Sequence, residues 1–253
     1  MTRDELLSLA DAIYDADSVV VLTGAGVSTA SGIPDFRSEN GIWSTYEPKA
    51  FHIDRFRADP TGFWHDRVEL IEEMFGGGIE PNVAHEALSE LESAGHLATL
   101  ITQNIDGLHE TAGSDDVIEV HGNGQRVACT GCGHRFGIDL VMSRIRRDGD
   151  VPPTCERCGD VLKPDVVLFG ERLPESALSH ARSAARNADV FLAVGSSLSV
   201  EPAASLPRIA DDRGGALCVI NLDRTDISER ADYEFREDVT EVLPRLVDAV
   251  IDR

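Results

Sequence analysis

Lysine is almost absent from this sequence: of 23 basic residues in 253, only Lys49 and Lys163 are lysines and the other 21 are arginines. Basic side chains of either kind are themselves outnumbered, 23 against 45 acidic ones, for a formal charge of −22. Such an excess argues against unassisted binding to nucleic acid, which requires clustered positive charge. No stretch approaches the roughly 20 apolar residues of a membrane span. The opening Met1-Thr-Arg-Asp-Glu5 lacks the basic region and apolar run of a secretory signal. These absences predict a soluble, cytoplasmic protein with no membrane partner. Aromatics are sparse at 6%, yet 42% hydrophobic and 27% charged residues are the proportions of a chain that folds around a core. An acidic, lysine-poor surface of halophilic type suits a salty interior that screens self-repulsion within a few ångströms. Arginine-favouring codons in a GC-rich genome would leave the same mark, and the two readings are compatible.

What is present reads as alternating strands and helices. Thr2-x-x-Glu5 is a capping box opening a helix with Leu6, Ala10 and Ile13 on one face. Ser18–Leu22 is a short apolar run of the kind buried on both faces of a sheet. The pattern recurs at Leu97–Ile101, Val117–Val120, Asp165–Phe169, Val190–Val194 and Ala216–Ile220. Amphipathic stretches at Asn82–Ser93, Glu175–Ala188, Glu201–Asp212 and Val239–Ile251 separate or follow these runs. The alternation predicts an α/β fold, a doubly wound, mostly parallel Rossmann-like sheet. Two segments break it. Residues 38–80 carry Trp43, Tyr46, Phe51, Phe56, Phe63 and Trp64 in a helical or irregular pattern, and residues 123–164 hold four of the five cysteines. Both read as insertions forming a smaller second domain, with 1–37, 81–122 and 165–253 as the Rossmann-like domain.

Small and polar residues follow each predicted strand: Thr23-Gly24-Ala25-Gly26, Thr102 to Asp106, His121-Gly122, Gly170-Glu171, Gly195-Ser196-Ser197 and Asn221 to Asp223. Ligands of open parallel sheets bind at the carboxyl ends of the strands, so these six ends are expected to converge on one crevice. Gly24-Ala25-Gly26 after a buried strand fits a turn whose amides approach a pyrophosphate, although the dinucleotide fingerprint is left incomplete by Thr29 at its last position. Taken alone, an ordinary strand-to-helix turn explains it equally well.

The cysteines are more specific. Cys129-x2-Cys132 and Cys155-x2-Cys158 stand 22 residues apart, two knuckles that complete a tetrahedral Zn²⁺ shell. Disulfides are disfavoured in a cytoplasmic chain. Four protein ligands leave no open position, so the zinc is expected to be structural. Cys218, alone in an apolar strand, reads as a small core residue. Of the eight histidines, His85 and His109 read as structural, while His121 ends a buried strand at the crevice.

The segment Gly24-Ala-Gly-Val-Ser-Thr-Ala-Ser-Gly-Ile-Pro-Asp-Phe-Arg37 resembles the sirtuin family, the NAD-dependent protein lysine deacylases. The resemblance continues through Gln103-Asn-Ile-Asp106, His121-Gly122, the paired cysteines, Val166 to Glu171, Gly195 to Leu198 and Ile220-Asn221, in order over roughly residues 15–245. It implies an enzyme that consumes NAD as cosubstrate and passes the acyl group of an acyl-lysine protein or peptide to ADP-ribose, releasing nicotinamide. It implies His121 as catalytic base, with Asn104 and Gln103 positioning ribose hydroxyls and a water. Ile105 and Asp106 would lie at the nicotinamide, Asp106 accepting from the carboxamide. Gly24, Ala25, Gly26, Thr29, Phe36 and Arg37 would cover the nicotinamide and phosphates. Gly195, Ser196, Ser197 and Asn221 would hold the adenosine half, with Asp238 and Val239 beside them. The peptide would enter as a strand between Val167–Gly170, with Phe169, and Ser199–Val200.

Acyl preference turns on the helix around Trp64. Some sirtuins that remove acidic acyl groups carry Tyr and Arg three residues apart there. In one register Trp64 and Arg67 take those places, with the indole N–H as donor. In the other Arg67 and Leu70 do, leaving no cation at the second place. The second register is preferred, which sets Arg67 and Leu70 as the substrate-side residues and predicts a deacetylase with little activity on acidic acyl groups; an arginine merely solvated near Asp66 or Glu69 is the alternative reading of Arg67. Rival readings are a desuccinylase or demalonylase, a protein ADP-ribosyltransferase side activity, a hydride-transferring dehydrogenase and a non-catalytic NAD sensor.

Overall fold

The computed structural model describes residues 2–35, 41–75 and 78–253. Its strands are β1 (Val19–Thr23), β2 (Thr99–Thr102), β3 (Val117–Glu119), β4 (Gly122–Cys129), β5 (Arg135–Gly137), β6 (Leu162–Val166), β7 (Val190–Val194), β8 (Ala216–Ile220) and β9 (Tyr233–Phe235). Six of them form one parallel sheet in the order β3-β2-β1-β7-β8-β9. The chain runs outward from β1 through β2 to β3, then returns to β7 on the other side of β1. Strand order therefore reverses between β1 and β7, and a crevice opens there at the carboxyl ends.

The apolar runs need both faces covered, and the period of two divides them. Val19 and Val21 join a core with α1 (Arg3–Asp15), α5 (Val83–Ser93) and α10 (Val239–Ile251). Val20 and Leu22 join the opposite core with α8 (Glu175–Asn187) and α9 (Leu206–Asp211). The capping box of α1 forms as expected: the Glu5 N–H donates to Thr2 Oγ1 and the Thr2 N–H donates to the Glu5 carboxylate.

A second, three-stranded sheet in the order β5-β4-β6 is antiparallel. It packs with α7 (Ile138–Asp148), α3 (Ile53–Ala58) and α4 (Pro60–Phe75) around Trp64, Phe63, Val127, Val141 and Leu162. The indole N–H of Trp64 donates to the Leu162 carbonyl at 2.8 Å, which ties α4 to β6. The short helices α2 (Ile42–Thr45) and α6 (Leu108–Thr111) lie beside the crevice-lining loops.

One strand expectation fails. Asp165–Phe169 is not a strand of the parallel sheet. The strand ends at Val166, begins at Leu162 and pairs antiparallel with β4, Val166 opposite Gly122. Its burial alternates, Leu162, Pro164 and Val166 inward, whereas β1 and β7 of the parallel sheet are buried throughout. Strand β9 and helix α7 are additions that the apolar runs did not reveal; the three residues Tyr233–Phe235 are too few to make a run.

Candidate active site

A cavity of about 530 Å³ lies at the reversal point, between the parallel sheet and the smaller one. Its floor is made by close backbone approach. The Gly26 N–H donates to the Gly195 carbonyl at 2.8 Å, and a Cβ on Gly24 or Gly26 would stand 2.8 Å from that same oxygen. Only glycine lets the loops after β1 and β7 meet this way.

The loop after β2 supplies amides whose donors are already engaged. Asn104 Nδ2 donates to the Gly24 carbonyl and Ser28 Oγ, both at 3.1 Å. Gln103 Nε2 donates to Ser196 Oγ at 2.8 Å and to the Thr23 carbonyl at 3.3 Å. What each side chain can offer a ligand is therefore its carbonyl oxygen. Asp106 is buried; its Oδ2 accepts the Ser28 hydroxyl at 2.7 Å and its Oδ1 accepts the Leu108 N–H at 2.9 Å.

His121 ends the connection from β3 and faces the cavity. Its Nδ1 lies 2.9 Å from the Gln103 carbonyl. A carbonyl can only accept, so Nδ1 carries the proton and Nε2 is left with its lone pair. Burial pulls the ring below the ordinary value of 6.5 against that hydrogen bond, favouring neutral imidazole.

The sequence-derived candidates at the ends of β1, β2, β7 and β8 line this one cavity: Gly24, Ala25, Gly26 and Thr29; Gln103, Asn104, Ile105 and Asp106; Gly195, Ser196 and Ser197; and Asn221. Asp238 and Val239 of α10 join them, Asp238 also capping that helix by accepting the Thr240 N–H. Val167, Phe169 and Val200 line the opening, but Gly170 and Ser199 do not. Gly170 instead packs on His52, where a Cβ would meet the ring at 2.5 Å. Phe36 and Arg37 lie outside the described residues.

The sequence reading left out Ser28 and took His85 as structural, without joining the two. Ser28 is buried at the centre of the Asn104–Asp106 network, and His85 Nε2 stands 3.3 Å from its hydroxyl. The Ser28 proton goes to Asp106, and the Asn82 N–H reaches His85 Nδ1, so His85 donates through Nε2. Burial pushes His85 down to about 4 and its neighbour His109, whose ring is tilted against it, down to about 3. The available signal was position: Ser28 lies two residues past Gly26, in the first turn after the loop.

Arg67 and Leu70, the two candidates on α4, both line the cavity; Arg67 is buried, 6% exposed, so its alternative reading as a solvated arginine fails. Asp66 turns to Arg55 at 2.5 Å. Burial lowers the Arg67 guanidinium to about 10, and its Nε has no hydrogen-bond partner among the described residues. The Trp64 N–H, spent on Leu162, is not offered to the cavity.

Apart from the cavity, Cys129, Cys132, Cys155 and Cys158 bring four Sγ atoms within 4.8 Å of one another. Cys129 and Cys158 Sγ are 3.3 Å apart, and Cys132 and Cys155 Sγ 3.7 Å. Tetrahedral Zn–S bonds of about 2.3 Å place sulfurs at nearly these separations. The Cys132 N–H donates to Cys129 Sγ at 3.4 Å, a contact that favours the thiolate a metal needs. The donor set fits zinc, with no place left for a substrate.

Comparison with known proteins agrees with this geometry. The model of the Sir2 family matches residues 24–202. An "NAD-dependent protein deacetylase" of Haloarcula marismortui is 51% identical over 246 residues, covering 97% of this chain and 94% of that protein. Among solved structures, a Sir2 homologue in complex with ADP-ribose superposes with a TM-score of 0.88 at 40% identity, covering 100% of this chain and 97% of the other. A Sir2 protein with a deacetylated p53 peptide and 3′-O-acetyl-ADP-ribose gives 0.86 at 37% identity, with coverage of 95% and 96%.

Proposed function

The chain belongs to the Sir2 family, and on that premise we propose that it is an NAD-dependent protein lysine deacetylase, passing the acyl group to ADP-ribose with release of nicotinamide. NAD supplies the ribosyl carbon that the acyl carbonyl oxygen attacks. The observation that carries the reading is His121: a neutral imidazole with its proton fixed on Nδ1 and Nε2 open to the glycine-floored cavity. It takes a proton from a ribose hydroxyl, typically a contribution of about 10²–10⁴ in rate. The carbonyl oxygens of Asn104 and Gln103 receive sugar hydroxyls or orient a water, and Ser28 fixes Asp106 for the carboxamide. Each carboxylate oxygen of Asp106 keeps a further lone pair for that contact.

The extended acyl-lysine chain enters between Val167–Gly170 and Ser199–Val200, with Gly170 and Ser199 outside the lining and serving through backbone alone. Zinc, held by the four cysteines, keeps the smaller sheet together and takes no part in the chemistry. No described helix is long and apolar enough to cross a membrane, and a cytoplasmic setting suits the five unpaired cysteines.

A second reading concerns the acyl group. The buried guanidinium of Arg67, with Nε unsatisfied at the cavity wall, favours acceptance of an acidic acyl group beside acetyl. Leu70 at the neighbouring place supports acetyl.

Mass analysis of the products from NAD and an acetyl-lysine peptide tests the main reading. Free lysine peptide, nicotinamide and O-acetyl-ADP-ribose are expected. NADH would indicate a dehydrogenase, ADP-ribosylated protein the transferase, and an unchanged mixture a sensor.

A further inference from the structure

The segment Val166 to Phe169, which lines the cavity together with Val200, is not part of the parallel sheet and needs support of its own. One edge of it is joined to the helical segment: the Phe169 N–H donates to the Phe51 carbonyl at 3.1 Å and the Ile53 N–H to the Phe169 carbonyl at 2.9 Å. The Val167 N–H donates to the carbonyl of His121 at 2.9 Å. The remaining support is ionic. Lys163 Nζ lies 2.7 Å from the Val166 carbonyl, 3.1 Å from the Pro164 carbonyl and 3.0 Å from Glu171 Oε2. The same Glu171 oxygen accepts the Leu168 N–H at 2.9 Å.

Three acceptors thus converge on one point, and an ammonium has three donors radiating from one atom. A planar guanidinium spreads its donors along a fork and cannot satisfy this arrangement. That accounts for lysine at 163 in a chain whose other basic residues, Lys49 aside, are all arginine. The Lys163 and Glu171 side chains are only 18% and 24% exposed, so without the cation two carbonyls and a carboxylate would face one another, and Glu171 would be driven from the Leu168 amide.

We propose that Lys163 and Glu171 are positioning residues that set the Val166–Phe169 wall at the spacing from Val200 that an extended acyl-lysine chain requires. This rests on the deacetylase reading and adds to it a determinant of peptide affinity outside the cavity lining. Neither side chain lines the cavity, so the pair is expected to act on the peptide and not on ADP-ribose.

The test measures binding of a fluorescent acetyl-lysine peptide and of ADP-ribose, with thermal melts, for wild type, Lys163→Met, Lys163→Arg and Glu171→Gln. Loss of the three ammonium contacts should weaken peptide binding about tenfold in Lys163→Met. Lys163→Arg and Glu171→Gln should fall between it and wild type, and ADP-ribose affinity should stay within about twofold throughout. Equal peptide affinity in wild type and in folded Lys163→Met or Glu171→Gln overturns the proposal, as does a parallel loss of ADP-ribose binding. Lys163→Arg equal to wild type overturns the three-donor argument. Wild type that binds ADP-ribose but no acyl-lysine peptide overturns the deacetylase reading, and the positioning role with it.

Discussion

In the parallel sheet, β1 and β7 are buried at every position, whereas in β5 of the smaller sheet Arg135 and Gly137 are exposed and only Phe136 is half covered. The first sheet is held between two apolar layers and needs nothing but its own side chains. The second has one modest core, reinforced at its rim by Arg126 and Arg135 on Asp165 and by the four thiols. Metal coordination supplies there what area cannot. His121 and Gly122 form the seam: His121 ends the connection from one sheet and Gly122 opens a strand of the other, with no room for a Cβ against Asp165.

The seam gives the largest expected effect. His121→Ala should lower kcat by about 10²–10⁴ while ADP-ribose still binds. In wild type the acid limb of kcat/KM should lie below pH 6.5, because burial lowers the histidine. Near-normal turnover in the variant would remove His121 from the role of base.

Next comes the metal half taken alone. Chelation, or Cys155→Ala, should release zinc and expose the protein to proteolysis around Cys129–Cys158, with activity falling as the wall beside His121 loosens. The parallel sheet should keep its helical circular dichroism and its affinity for ADP-ribose. An apo-protein with four titratable thiols, full activity and unchanged protease resistance would show that the smaller sheet needs no metal.

Arg67→Met separates the acyl readings. Should Arg67 receive an acyl carboxylate, kcat/KM for a succinyl peptide should fall about tenfold or more with acetyl turnover little changed, at roughly 1.4 kcal/mol per decade. Negligible succinyl turnover by wild type would leave Leu70 and the acetyl preference in command.

The smallest effect belongs to the apolar half. His85 and His109 are neutral when folded, near 4 and 3, against 6.5 in the unfolded chain. Between pH 6.5 and 4 the unfolded state binds more protons, so their contribution, whole above 6.5, is lost as pH falls, by at most about 1.4 kcal/mol per unit for each ring. Melting temperature against pH should fall less steeply over that window in His109→Asn than in wild type. Parallel slopes would show that the rings titrate normally.

The sequence made the parallel sheet legible because strands such as Val190–Val194 and Ala216–Ile220 are unbroken apolar runs, and five of the six expected strands stand in the structure close to their predicted bounds. It misled at Asp165–Phe169, since an alternating strand of a small sheet and a buried strand of a large one share the same valines over so short a span. The cavity was legible at the strand ends, where a glycine or an amide follows a run. Ser28, His85 and the burial of Arg67 were not, because each depends on contacts between segments more than 15 positions apart, such as Ser28 with Asp106, 78 positions away. Spacing speaks for cysteines three positions apart and is silent about a serine and a histidine on different elements.

The scarcity of lysine has a practical consequence. Lys163 is engaged at all three of its N–H bonds, while Lys49 is 82% exposed, in the turn that ends at Phe51 of the cavity wall. Among side chains, then, an amine-reactive dye or cross-linker has a single open address on this protein. That address lies beside the cavity, so a fluorophore attached there serves as a built-in reporter of occupancy without an engineered cysteine.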